Sequence, residues 1–413
     1  MEKIVLDYIS VNKNLVEYHY TVSSGMKKYF TTDRMFLEYE ENMSEVPISI
    51  LTIPFVNCMA GLSWLSNCVL FVDEIDATYY ESFKSLKVAY NELHNYIGLK
   101  GLLTPSKIIK NELYSKTEKG ILLFGGGVDC HSTFIRNKES ISHILNIYGW
   151  LKNSSEVNQV DIHDKEQTES YARTMGVESL HVRTNFVSQF KLSAIDKDFN
   201  TSYWFGFLHS MAFLSIAAPL AWVYKIKVLF IASSFTKGKV GAKCSSDITT
   251  DSLFKFANYG RTIHDGFELN RQEKIKILVE YQRSINRPYP IQACSFNDSN
   301  CCECEKCFRT VIELIAENAN IKDFGFNIDG DVLNHWKGII ERDVALWGPS
   351  YEGYYYEQTR QRMLENYDAI TEKAFVDWFL SIDFMELKRK ALKRYYCQNF
   401  FSILKRKLGL GKV

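Results

Sequence analysis

Proline is scarce in this chain, at 7 of 413 residues, and glycine is modest at 22. Collagen-like and linker-dominated architectures are therefore excluded. Net charge is also lacking, because 49 Lys and Arg balance 49 Asp and Glu. That balance excludes a chain-wide field for polyanions, although it leaves room for a local basic patch. There is no internal repeat and no long low-complexity tract. The opening residues, Met1-Glu2-Lys3-Ile4-Val5, soon reach Asp7 and hold no long apolar leader-like run. A reducing, cytoplasmic setting is the expectation. Hydrophobic residues make up 46% and charged residues 24%, which suits a folded soluble protein and excludes dominant disorder. At roughly 150 residues per domain, the length predicts two or three domains.

Charge is missing locally from two stretches, residues 48–72 and 199–224. Each is long enough to span a bilayer. The first is interrupted by Pro54, Asn57, Gly61, Ser63, Ser66 and Asn67, which predicts strand, turn and strand. The second contains His209, Ser210, Ser215 and Pro219 and leads into the strand-like run 227–232. A buried helix of an α/β domain is expected there.

Three regions follow from the patterning. Residues 1–118 read as an N-terminal α+β domain, with strands at Ile4–Ile9, Leu15–Val22 and Val69–Val72 and a helix from Asp76 to Ile97. Residues 119–325 alternate strands with helices, which predicts a doubly wound, mostly parallel sheet. Residues 326–413 read as a helical C-terminal region with a basic tail. Between 388 and 413 there are nine Lys or Arg and no acid. Aromatic and aliphatic residues interleave with those charges. Such a tail is either a solvated terminal helix or a contact for an anionic membrane or nucleic acid.

The strand at 120–124 runs into Gly125-Gly126-Gly127-Val128-Asp129-Cys130 and then a helix. Glycines let phosphate oxygens approach main-chain N–H groups, and a helix N-terminus adds donors. Neither G-x-x-x-x-G-K-[ST] nor G-x-G-x-x-G fits this loop. Ser233 and Ser234 follow the strand at 227–232, a position suited to nucleotide contact or to a turn. Asp247 and Asp251 read as ligands of a substrate or Mg²⁺, or as solvated loop acids. His264 and Asp265 read as a proton-transfer pair or as a turn. Arg271 and Lys274 would neutralise phosphate charge or lie on an exposed helix face. Cys130 and His131 are sequence neighbours, which does not make them a catalytic pair.

Cysteine is unevenly used. Of ten, Cys294, Cys301, Cys302, Cys304 and Cys307 fall within fourteen residues. The spacing Cys294-x6-Cys301-x2-Cys304-x2-Cys307 suits one tetrahedral Zn²⁺ held by four thiolates, leaving Cys302 spare. Such a closed set is structural.

The loop Gly125–Cys130 resembles the S-G-G-x-D-S loop of the PP-loop ATP pyrophosphatases. Gly126, Gly127 and Asp129 match, while Gly125 and Cys130 stand where that superfamily has serines. The cluster Cys301-Cys302-Glu303-Cys304-Glu305-Lys306-Cys307 is similar to the zinc site of the 7-cyano-7-deazaguanine synthases. The likeness extends over about residues 119–318, with His143–Gly149, Thr184–Phe186, His264–Gly266 and Arg271–Lys274 as further pieces. It implies an adenine nucleotide alpha hydrolase-like fold and ATP, Mg²⁺ and Zn²⁺ as cofactors. Residues 125–130, Ser233 and Ser234 would hold the nucleotide, and Asp129, Arg271 and Lys274 would serve catalysis. It also implies an ATP-dependent ligase that adenylates a carboxylate or carbonyl acceptor and then admits ammonia or another nucleophile. The acceptor would be a small molecule, a peptide or a protein, and a homodimer is compatible with the resemblance. A nucleotide-binding or partner-binding module without catalysis, and a sulfur-transfer enzyme acting on RNA, are the alternatives.

Overall fold

A computed structural model describes residues 2–114, 118–151, 159–237, 243–294, 299–343 and 354–398. The chain forms two compact units, Met1–Leu269 and Asn270–Val413. The basic tail beyond residue 398 lies outside the described residues.

The first unit carries strands β1 Lys3–Asn12, β2 Leu15–Val22, β3 Arg34–Glu38, β4 Val69–Asp76, β5 Leu102–Ile109, β6 Gly120–Leu123, β7 Ile141–Tyr148, β8 Glu178–Thr184, β9 Val228–Ala232, β10 Lys255–Phe256 and β11 Gly260–Asp265. Its helices are α1 Ile48–Ser66, α2 Ala77–Leu93, α3 Val128–Asn137, α4 Gln159–Met175, α5 Leu192–Phe199, α6 His209–Val223 and α7 Ile248–Asp251. A π turn, Trp204–Leu208, leads into α6.

All these strands join one mixed sheet, ordered β10-β11-β9-β6-β7-β8-β3-β2-β1-β4-β5. Strands β11, β9, β6, β7 and β8 are mutually parallel. Antiparallel pairing of Leu37 and Glu38 with Thr184 and Arg183 joins this half to the N-terminal strands. Residues 1–118 are therefore part of the same sheet, and not a separate domain. The boundary between compact units falls at 269/270, inside the span expected for a single domain at 119–325. The reason is physical. Strand pairing depends on main-chain groups that sequence patterning does not assign to partners.

Side chains alternate across the parallel half. Leu122, Phe124, Ile144 and Phe230 pack with Phe134 and Tyr171, from α3 and α4. Ile121, Leu145, Leu229 and Ile231 join the larger core that includes α1 and α6. The second unit holds α8 Arg271–Ile285, α9 Glu305–Ala316, α10 Val332–Asp343, α11 Tyr354–Glu365, α12 Lys373–Ser381 and α13 Phe384–Gln398.

Residues 48–66 depart from the expected strand and turn. They form one helix, apolar on every side and buried along almost its whole length. The apparent breakers have specific places. Asn57 Nδ2 donates to the Met211 carbonyl (2.7 Å), and Tyr79 donates its hydroxyl to Asn57 Oδ1 (2.6 Å). A Cβ at Gly61 would meet Phe207 Cβ at 2.7 Å, so glycine permits this close approach. Pro54 sits inside the helix, where it forgoes one ladder hydrogen bond. Among the described residues, two helices are long and apolar enough to cross a membrane, Ile48–Ser66 and Trp204–Val223, and both are mostly covered by protein.

Candidate functional site

Within the parallel half, β8-β7-β6-β9-β11 runs 3-2-1-4-5 in chain order. The order reverses at β6, whose neighbours are β7 on one side and β9 on the other. In open α/β sheets, ligands bind beyond the carboxyl ends of strands at such a switch point. Residues Phe124 to Gly127 occupy that position.

The loop is short and defined. Phe124 N–H donates to the Leu145 carbonyl (2.8 Å), holding the strand end beside β7. Gly126 adopts a φ of 73°, which an L side chain would resist. Gly127, in extended backbone, caps α3. Gly125 is exposed, and a Cβ there would meet no atom within 4 Å. Asp129 lies in the first turn of α3 and is partly exposed. Negative charge there is favoured by the helix dipole.

Cys130 faces inward. Its thiol donates to the Gly127 carbonyl (3.0 Å), and burial pushes it up to about 12. It is therefore held as a thiol and not as a reactive thiolate. His131 is fully buried against Phe124 and Tyr171. Burial brings it down to about 3, so the ring is neutral. These two residues are core, despite following the loop.

The end of β9 contributes differently from a nucleotide-binding serine pair. Ser233 is buried, its hydroxyl donating to the Phe235 carbonyl (2.6 Å) and its N–H to the Asp265 carbonyl (2.8 Å). It closes a turn between strand ends. Ser234 is exposed beside it.

His264 and Asp265 end β11 and do not form a turn. Their side chains point to opposite faces of the sheet. Asp265 Oδ2 accepts from Thr133 Oγ1 of α3 (2.9 Å), with Arg136 Nη1 at 3.6 Å. On the other face, His264 Nδ1 and Asp251 Oδ2 are 2.8 Å apart. Asp251 is buried and also accepts from Ser246 Oγ (2.9 Å), so it is no solvated loop acid. Asp247 instead caps α7 in a box with Thr250.

Arg271 and Lys274 belong to the second unit. Arg271 starts α8, where its Nε donates to Glu313 Oε2 (3.0 Å) and Nη2 to Thr310 Oγ1 (3.0 Å). Lys274 is buried, not on an exposed helix face.

The same unit holds the cysteine site. Sulfur atoms of Cys294, Cys301, Cys304 and Cys307 all lie within 4.8 Å of one another, with Cys301 and Cys307 at 3.8 Å. A tetrahedral ion with Zn–S bonds of about 2.3 Å needs sulfurs about 3.8 Å apart. The set therefore fits a metal such as zinc. Cys304 caps α9, and Cys307 lies in its first turn, where thiolate charge is favoured. The Cys307 thiol in contact with Cys304 pushes Cys304 down to about 5, and the same contact drives Cys307 up. Asn300 braces the knuckle. Its Oδ1 accepts from the N–H of Ala293 (2.8 Å) and Cys294 (3.2 Å), and its Nδ2 donates to the carbonyls of Ile291 and Gly325. Cys302 is outside the set. It is buried, at a φ of 55°, and burial pushes its thiol up to about 11.

Sequence reasoning weighed Asp251 and His264 separately and missed Thr133. The thirteen-residue gap between the first two gave no periodic signal, because a loop brings them together. No family model matches this chain, and no curated protein matches it.

Proposed function

We propose that this chain is a PP-loop ATP-dependent ligase, related in chemistry to the 7-cyano-7-deazaguanine synthases. The carrying observation is the strand–glycine loop–helix at the switch point of the parallel half. In this reading, N–H groups of residues 125–129 receive the phosphates of ATP. Asp129 would hold Mg²⁺, which neutralises phosphate charge. A carboxylate or carbonyl oxygen of the acceptor attacks the α-phosphorus, and pyrophosphate leaves. Ammonia or another nucleophile then displaces AMP from the adenylated acceptor. The four-cysteine centre would brace the second unit as a closed structural site.

One observation favours a second reading, a nucleotide-binding module without turnover. Gly125 offers no side chain, and the Cys130 thiol is turned back to Gly127. The loop thus lacks the two hydroxyls that the PP-loop pattern has. Calorimetric titration with Mg·ATP, followed by assay for AMP, separates the readings. Saturable binding lost in Asp129→Ala, with AMP formed by the unaltered chain, supports the ligase. Binding without AMP formation across carboxylate acceptors supports the module. The absence of binding to the folded, zinc-loaded chain overturns both.

A further inference from the structure

The face of the sheet opposite α3 carries a second group of chemical interest. Its centre is Asp251, which holds His264 Nδ1 at 2.8 Å. The His264 side chain is fully buried, and among the described residues Nε2 has no hydrogen-bond partner. A carboxylate on Nδ1 favours the tautomer with its proton there, leaving the Nε2 lone pair bare. An acceptor atom buried without a donor carries a desolvation cost. A ligand N–H or O–H would remove it.

The placement is informative. His264 stands in register with Ile231 of β9, which pairs with β6 below the glycine loop. The next residue, Asp265, contacts α3 through Thr133. Loop and dyad therefore flank the carboxyl edge of the same three parallel strands, one on each face.

We propose that His264, oriented by Asp251, accepts the proton of an amine or ammonia nucleophile at this edge. This inference rests on the ligase reading. The nucleophile's nitrogen bonds to the activated acyl carbon. The bond from that carbon to the phosphate oxygen breaks, and its electron pair leaves with AMP. The nitrogen's surplus proton passes to His264 Nε2 and afterwards to solvent. Asp251 stabilises the resulting imidazolium and is a positioning residue.

The surrounding groups leave this role to His264. Ser246 donates to Asp251. Tyr90 of α2, His209 of α6 and Cys244 lie within the field of Asp251. Burial raises Tyr90 and pushes Cys244 up to about 12, which keeps both protonated, and it lowers His209, which makes that ring a poorer proton acceptor.

The test uses the full, ¹⁵N-labelled, zinc-loaded chain and long-range ¹H–¹⁵N NMR of its histidines, assigned with His264→Gln. Hydroxylamine and ammonium chloride are the probes, with Mg·ATP present. The expected result is a proton on Nδ1, a bare Nε2, and a saturable shift of Nε2 on adding hydroxylamine. In Asp251→Asn, the proton moves to Nε2 and the shift is lost. If that variant fails to fold, the tautomer and shift of the unaltered chain decide the matter. A proton on Nε2, or no shift in a chain that binds Mg·ATP, overturns this inference alone. Failure to bind Mg·ATP overturns the ligase reading, and this one with it.

Discussion

Thr133 donates its hydroxyl to Asp265 over 2.9 Å, tying the helix after the glycine loop to the last parallel strand. Both side chains are largely shielded from solvent. A hydrogen bond to a charged group in such a place contributes about 1.5–3 kcal/mol. Thr133→Val keeps the shape and removes the donor. Denaturant unfolding should show a loss of about 1–3 kcal/mol. Calorimetry should show weaker Mg·ATP binding, because α3 is freed from β11. Unchanged affinity would separate this contact from the loop.

The glycines of the loop should respond in opposite directions. Gly125 has open space at its Cβ position, so Gly125→Ser fits and supplies a hydroxyl. Its Mg·ATP affinity should rise. Gly126 has a φ of 73°, and Gly126→Ala forces an L side chain into the left-handed region at roughly 1–2 kcal/mol. Its affinity should fall. Titration of both variants checks the pair of signs.

Metal analysis should find one zinc per chain. Serine at Cys294, Cys301, Cys304 or Cys307 should lower that content, since each supplies one of four converging sulfurs. Cys302→Ser should keep it, because that thiol is directed toward the Asn300 carbonyl. Chelation should lower the melting temperature, as a structural zinc site contributes directly to folding. A chain that binds zinc equally well without Cys304 would refute the assignment.

Two buried groups should give pH slopes of opposite sign. Burial raises Glu313 from 4.5 to about 7 despite Arg271, so the folded chain holds this proton more tightly. Its contribution is fully present below about pH 4.5 and is lost as pH rises through about 7. The steepest slope is about 1.4 kcal/mol per pH unit. Burial lowers His131 from 6.5 to about 3, so the unfolded chain binds that proton more tightly. Stability is then lost as pH falls from 6.5 toward 3. Unfolding across pH should show the first slope reduced in Glu313→Gln and the second in His131→Asn.

Some of this molecule was legible residue by residue. The strand at 120–123, the glycine loop and α3 follow one another in sequence, so local chemistry announces them. The cysteines at 294, 301, 304 and 307 converge because two short x2 steps and a helix start restrict where their sulfurs reach. Helix α1 was not legible. Its apolar residues surround the whole helix, and a period is visible only when one face is polar.

The sequence by itself determined the strand, glycine loop and helix at 120–137, the cysteine set and the α/β alternation after residue 119. Tertiary structure alone decided that β3 pairs with β8, that the units part at 269/270, and that Asp251 meets His264. Propensity, turns and short spacings act over a few residues. Partners across a sheet or between loops are selected by the packing of the whole core, which no local pattern encodes.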